Sequence, residues 1–135
     1  MFKKLQPNSL EEAGDVDEQT ALLDPSVLDG LRELAGEQHS AIIESFLKFS
    51  AGALADIESA IANSDAKSIK DVAHSLKSSS LQLGATKLGH LARDLEAACQ
   101  ASNMDSAQSI VLQIRIVGDQ TRAAFFTYIE TQKTA

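Results

Sequence analysis

Four long stretches of this chain carry apolar side chains every three or four residues, and each stops at a short polar or glycine-bearing break. That period belongs to helices with one buried face, and no stretch alternates as a strand does. Asp24-Pro25 opens a shorter helix first, with Asp as N-cap and Pro at the first helical position. Val27, Leu28, Leu31 and Leu34 form its inward face, and it ends near Gly36. The first long helix runs from about Gln38 to Ala62 on Ile42, Ile43, Phe46, Leu47, Phe49, Ala53, Leu54, Ile57, Ala60 and Ile61. Asn63-Ser64-Asp65 caps the next, Ala66 to Leu83, which Gly84 stops. Another spans about Ala85 to Ala101 on Leu88, Leu91, Leu95, Ala98 and Cys99. After Ser102-Asn103 the last runs from Met104 to about Thr131 on Ala107, Val111, Ile114, Gly118, Thr121, Phe125 and Tyr128. Short connections between four long helices predict an all-α, antiparallel up-down four-helix bundle with a short additional N-terminal helix as a lid.

The bundle is expected over residues 23–133. Residues 1–22 lack periodicity and read as a flexible acidic leader or linker. At 135 residues the chain is long enough for one core, and 44% hydrophobic with 23% charged residues suits a soluble domain. Aromatics are scarce, with five Phe, one Tyr and no Trp, so the core must be aliphatic. A net charge of -7 excludes nucleic acid as a bulk partner, because phosphate backbones require a basic field. Cys99 is the one cysteine, which excludes an internal disulfide and a thiolate metal site, and its place on an apolar stripe predicts a buried thiol. No apolar run reaches the roughly 18 residues of a membrane span, so a cytoplasmic domain is expected. No exposed apolar stripe is evident beyond Leu81, and a monomer is expected.

One histidine faces the wrong way for a core residue. In the helix from Ala66 to Leu83 the inward stripe is Ile69, Val72, Ala73, Leu76, Ser80 and Leu83. At about 100° per residue, His74 lies roughly 140° from its centre. Lys70 sits one turn before it, Lys77 and Ser78 one turn after, and Lys67 and Leu81 two turns away on either side. Imidazole offers a neutral nitrogen nucleophile near neutral pH. The ammonium groups of Lys70 and Lys77 can neutralise charge arriving on it, Ser75 and Ser78 keep the approach open, and Leu81 offers an apolar contact. Phosphate is the group this combination suits. On geometry alone an exposed histidine among lysines is more often a solvated face. His39 and His90 are expected to be surface residues without a role. Asp71 with His74, or His90 with Asp94, supply two metal ligands each and no third, so no metal site is expected. No serine-histidine-acid set or glycine-rich phosphate loop is identifiable.

The segment from Ala73 to Ala85, AHSLKSSSLQLGA, resembles the signature of histidine-containing phosphotransfer (HPt) domains of bacterial multistep phosphorelays. That pattern reads His-x-Leu-Lys-Gly-Ser-(Ser/Ala)-x-x-(Leu/Ile/Val)-Gly-Ala. His74, Leu76, Lys77, Ser79, Ser80, Leu83, Gly84 and Ala85 match in register, and Leu88, Leu91, Leu95 and Glu96 follow the family's next helix. The resemblance extends from about Leu23 to Tyr128. It departs at Ser78, where the family carries glycine, which leaves room for partner and phosphoryl group; serine adds a hydroxyl able to bond phosphate. The family also uses a polar residue of the next helix to hold the histidine, and Arg93 and Glu96 both qualify.

The resemblance implies a carrier without kinase activity of its own. His74 accepts a phosphoryl group from a receiver-domain aspartate, through Nε2, and passes it to the receiver aspartate of another response regulator, with Lys77 stabilising the phosphate. Lys70, Ser78, Leu81, Lys67 and Ser75 support or contact the partner. It also implies no bound cofactor, with Mg²⁺ held by the partner receiver. The partners implied are response regulators, a hybrid sensor kinase, or both, and this chain could itself be the carboxy-terminal domain of such a kinase. The competing reading is a non-catalytic interaction domain that docks a regulator through the His74 face.

Overall fold

The computed structural model describes residues 21–134. Residues 1–20, and with them nearly all of the expected leader, lie outside the described residues. The helices are α1 (Pro25–Ala35), α2 (His39–Ala62), α3 (Ala66–Gln82), α4 (Thr86–Gln100) and α5 (Met104–Thr134), with a 3₁₀ turn at Gly36–Gln38. The four long helices form a bundle, as the periodicity predicts. Local chemistry sets their ends. Asp24 caps α1 by accepting the Ser26 amide at 3.0 Å, Asp65 caps α3 by accepting that of Ser68 at 3.2 Å, and Asn103 accepts that of Ser106 at 3.1 Å. The Ser26 and Ser68 hydroxyls also donate to these carboxylates, at 2.8 and 2.7 Å, and those bonds first, then the amide bonds, hold the Asp24 and Asp65 carboxyls below the usual range.

The core is aliphatic. Ile43, Ile57, Ile69, Leu76, Leu91, Leu95, Ile114 and Phe125 are fully buried, each worth about 1.5–3 kcal/mol of transfer free energy. α3 packs most extensively on α4, and small residues allow it. Ala73 and Ser80 of α3, Ala85 in the turn, and Gly89 and Ala92 of α4 are all buried, and a Cβ on Gly89 would lie 3.4 Å from that of Ser80. A Cβ on Gly89 would lie 2.6 Å from Leu81 Cδ2, so the bare glycine is the seat on which that leucine rests. Gly84 turns the chain between the two helices at φ +79°, the left-handed region that favours glycine. Its carbonyl accepts the Asp24 amide at 2.8 Å, which ties the start of α1 to the α3–α4 turn. Leu22 and Leu23 also pack against the core.

Several side chains depart from expectation. Leu34, assigned inward, is 91% exposed, because only the first turns of α1 lie over the bundle and Leu28 is its one fully buried residue. Ile42 and Phe49 are exposed as well. They sit at the flank of the α2 stripe, roughly 60–80° from its buried centre. On α5, Leu112, Ile116 and Phe126 are exposed, which removes the ground on which a monomer was expected. Ile110, Val117 and Ile129 join the buried stripe there. His39 is not a free surface residue. Its Nδ1 bonds the Gly36 carbonyl at 2.8 Å, and its ring meets Tyr128 edge-on. Cys99 is buried as expected, and burial pushes its thiol pKa up.

Candidate functional site

His74 projects from the middle of α3 with its side chain 60% exposed. α4 runs antiparallel beside it, and the register across the Leu83-Gly84-Ala85 turn sets Glu96 opposite. The Glu96 carboxylate takes two partners, one on each oxygen. Oε2 lies 2.9 Å from His74 Nδ1, and Oε1 accepts from Lys77 Nζ at 2.9 Å. Those contacts hold Glu96 below the usual carboxylate range, the Lys77 bond first and the His74 bond next, against the opposing effect of partial burial. An ionised carboxylate can only accept, so the proton between it and the ring sits on Nδ1. Nε2 then carries the lone pair, and it makes no hydrogen bond to the described residues. The ring is therefore oriented, fixed in one tautomer and open at its nucleophilic nitrogen.

The remaining strip residues divide. Lys77 is half-buried and turned to α4, whereas Lys67, 83% exposed, pairs with Asp71 at 2.9 Å. Lys70 is half-buried, and its charge opposes the rise that burial gives the Cys99 thiol. Ser75 and Ser78 are exposed, and Leu81 is 41% exposed on its glycine seat. The structure thus brings His74, Lys77 and Glu96 together and leaves Lys67 apart. Of the two candidates on α4, Glu96 holds the histidine, while Arg93 pairs with Asp94 at 3.1 Å. His90 is half-buried, and burial, with Arg93 beside it, lowers its pKa.

A groove of about 480 Å³ opens beside this face, and sequence reading did not find it. Lys48, Phe49, Gly52 and Asp56 of α2 and Asp71, Val72 and Ser75 of α3 line it. Phe49, read as core, forms its apolar wall. Among the described residues no cluster of three or more His, Cys, Asp or Glu could hold a metal ion, and no helix is long and apolar enough to cross a membrane.

A helical bundle that presents one oriented imidazole, backed by a carboxylate and an ammonium, has the frame of a domain that carries a phosphoryl group on histidine. The chain belongs to the Hpt domain family, whose model matches residues 41–124. Its role is therefore phosphotransfer in a two-component phosphorelay, and domains of this family interact with receiver domains. Among solved structures it is similar to histidine-containing phosphotransfer protein B (HptB) from Pseudomonas aeruginosa PAO1, with 23% identity and a TM-score of 0.80 over 84% of this chain and 98% of that one. At that identity the likeness establishes the shared four-helix fold. No curated protein matches the chain.

Proposed function

We propose that His74 is the phosphoacceptor, taking a phosphoryl group from an aspartyl phosphate on one receiver and delivering it to an aspartate on another. The observation that carries this reading is the Glu96 bond to Nδ1, which leaves Nε2 as the free nucleophile. In the accepting step a bond forms between Nε2 and phosphorus while the bond from phosphorus to the aspartate oxygen breaks. The electron pair leaves with the receiver's carboxylate. The ring gains positive character, which the Glu96 carboxylate at Nδ1 balances without giving up the Nδ1 proton. The reverse sequence at a second receiver discharges the histidine. Lys77, one turn along α3, neutralises the phosphoryl oxygens by exchanging part of its contact with Glu96 for them. Such transfer depends on in-line placement and charge neutralisation, and the receiver's Mg²⁺ supplies the rest.

The receiver docks over the His74 face. Leu81 contributes the apolar contact on one side, and the groove between α2 and α3, walled by Phe49, lies on the other. Lys70, Lys67 and Ser75 border this surface, and a cytoplasmic location follows from the receivers it serves.

The test is to incubate the domain with a phosphorylated receiver and Mg²⁺, then examine the bond formed. An acid-labile, base-stable label that disappears in His74→Gln is expected, with Lys77→Ala weakening uptake while the protein stays folded. Uptake that survives His74→Gln refutes the assignment. Binding to a receiver with no label on a folded domain favours the non-catalytic docking role instead.

A further inference from the structure

We infer that the Ser78 hydroxyl is a second donor to the phosphoryl group on His74, opposite Lys77, and that it prolongs the life of the phosphorylated state. This rests on the reading of His74 as the phosphoacceptor. Helical side chains lean toward the amino end, so residues one turn after His74 lean toward it while those one turn before lean away. Two residues qualify, and they flank the ring. At about 100° per residue, Lys77 lies roughly 60° to the α4 side and Ser78 roughly 40° to the other. The bond at Nδ1 holds that edge of the ring toward α4, and the helical angles put Ser78 on the side away from α4, to which the opposite edge of the ring is open.

The hydroxyl is available. Serine and threonine on helices commonly return their proton to a carbonyl one turn back. Ser50 does so to Leu47 and Thr131 to Thr127, at 3.0 and 2.9 Å. Ser78 is exposed and makes no such bond. Its neighbours are less suitable: Ser75 lines the groove toward α2, and Ser79 is half-buried. Lys77 is already shared with Glu96, so a phosphoryl group with three acceptor oxygens has unmet demand on the Ser78 side. The residue here departs from the glycine that the resembled signature carries, so the donor belongs to this chain.

The direction of the effect follows from the transition state. Spontaneous loss adds the oxygen of water to phosphorus and breaks the bond to Nε2, whose electron pair returns to the ring as inorganic phosphate leaves. The transition state is loose and metaphosphate-like, and as the electron pair of the breaking bond returns to nitrogen it draws charge off the peripheral oxygens. A donor to those oxygens therefore holds the ground state more tightly than the transition state and slows the loss.

The test avoids the receiver. Phosphoramidate loads the histidine directly, its phosphorus–nitrogen bond breaking to release ammonia as the bond to Nε2 forms. After removal of the reagent, ³¹P NMR follows the decay of acid-labile phosphohistidine in the wild type, Ser78→Ala and Ser78→Thr. Alanine is a better helix former than serine, so the fold is kept. One hydrogen bond to a charged group in solvent predicts a lifetime about three- to tenfold shorter in Ser78→Ala, with Ser78→Thr close to wild type. Lifetimes within twofold in the wild type and Ser78→Ala overturn the inference and leave His74 as phosphoacceptor. Ser78→Thr decaying as fast as Ser78→Ala also overturns it, since the hydroxyl is then immaterial. A wild-type protein that takes no acid-labile phosphate overturns both the inference and the function it rests on.

Discussion

Glu96→Ala isolates what the carboxylate contributes to the histidine. In the wild type the Nδ1 proton is held by an ionised acceptor at 2.9 Å, on a side chain that is 25% exposed. A hydrogen bond to a charged group contributes about 1.5–3 kcal/mol, and partial exposure places this one at the lower end, about 1.5 kcal/mol. Since 1.4 kcal/mol is a factor of ten, Glu96 biases the ring about tenfold toward the tautomer and rotamer with Nε2 free. Only that fraction reacts, and from an evenly split ring its loss costs about twofold; losing the carboxylate that balances the positive character of the ring brings the drop in uptake rate to about five- to tenfold at subsaturating receiver. Glu96→Gln retains one accepting oxygen without charge, and about a threefold loss is expected from the weaker neutral bond. Stability changes little, by less than about 1 kcal/mol, because Lys77 can turn its ammonium to water. The assay pairs long-range ¹⁵N–¹H correlation spectra of the imidazole, which report the tautomer, with single-turnover transfer from a phosphorylated receiver. An unchanged Nδ1–H tautomer in Glu96→Ala, with uptake within twofold of wild type, would refute the reasoning.

Two further predictions concern the frame around the site. Gly84→Ala places a Cβ 3.2 Å from the Asp24 carbonyl oxygen and from Val27 Cβ, at φ +79°. Strain of about 1–3 kcal/mol is expected, seen as a lower urea midpoint, and a midpoint equal to wild type would show that the α3–α4 turn relaxes freely. Glu96, Asp24 and Asp65 all have lowered folded pKa values. The stability they contribute is fully present above their unfolded values, near pH 4, and is lost as pH falls through the lower folded ones. Urea midpoints should fall gently below about pH 6.5, where half-buried His90 resists the proton, and steeply below about pH 4, less so in Glu96→Gln; a midpoint that rises on acidification would contradict this.

The sequence alone determined the elements that local forces decide. Period and caps are read within one helix, so the five helices, the Asp24 cap, the capping break Asn63-Ser64-Asp65 and the glycine stop at Gly84 were all legible. So was the outward direction of His74 with Lys77 beside it, because a helix fixes the angle between its own residues. What one helix presents to another was not legible. Arg93 and Glu96 are one turn apart on the same helix, and both were open as the residue that holds His74. The interhelical register, set by how closely Ala73, Ser80, Gly89 and Ala92 let α3 approach α4, brings Glu96 to the ring and leaves Arg93 with Asp94. The same distinction explains Phe49 and Leu34. Both are apolar and both lie near the inward stripe of their own helix. Whether such a residue is buried depends on whether a neighbouring helix extends over it, and that is decided only in the assembled bundle.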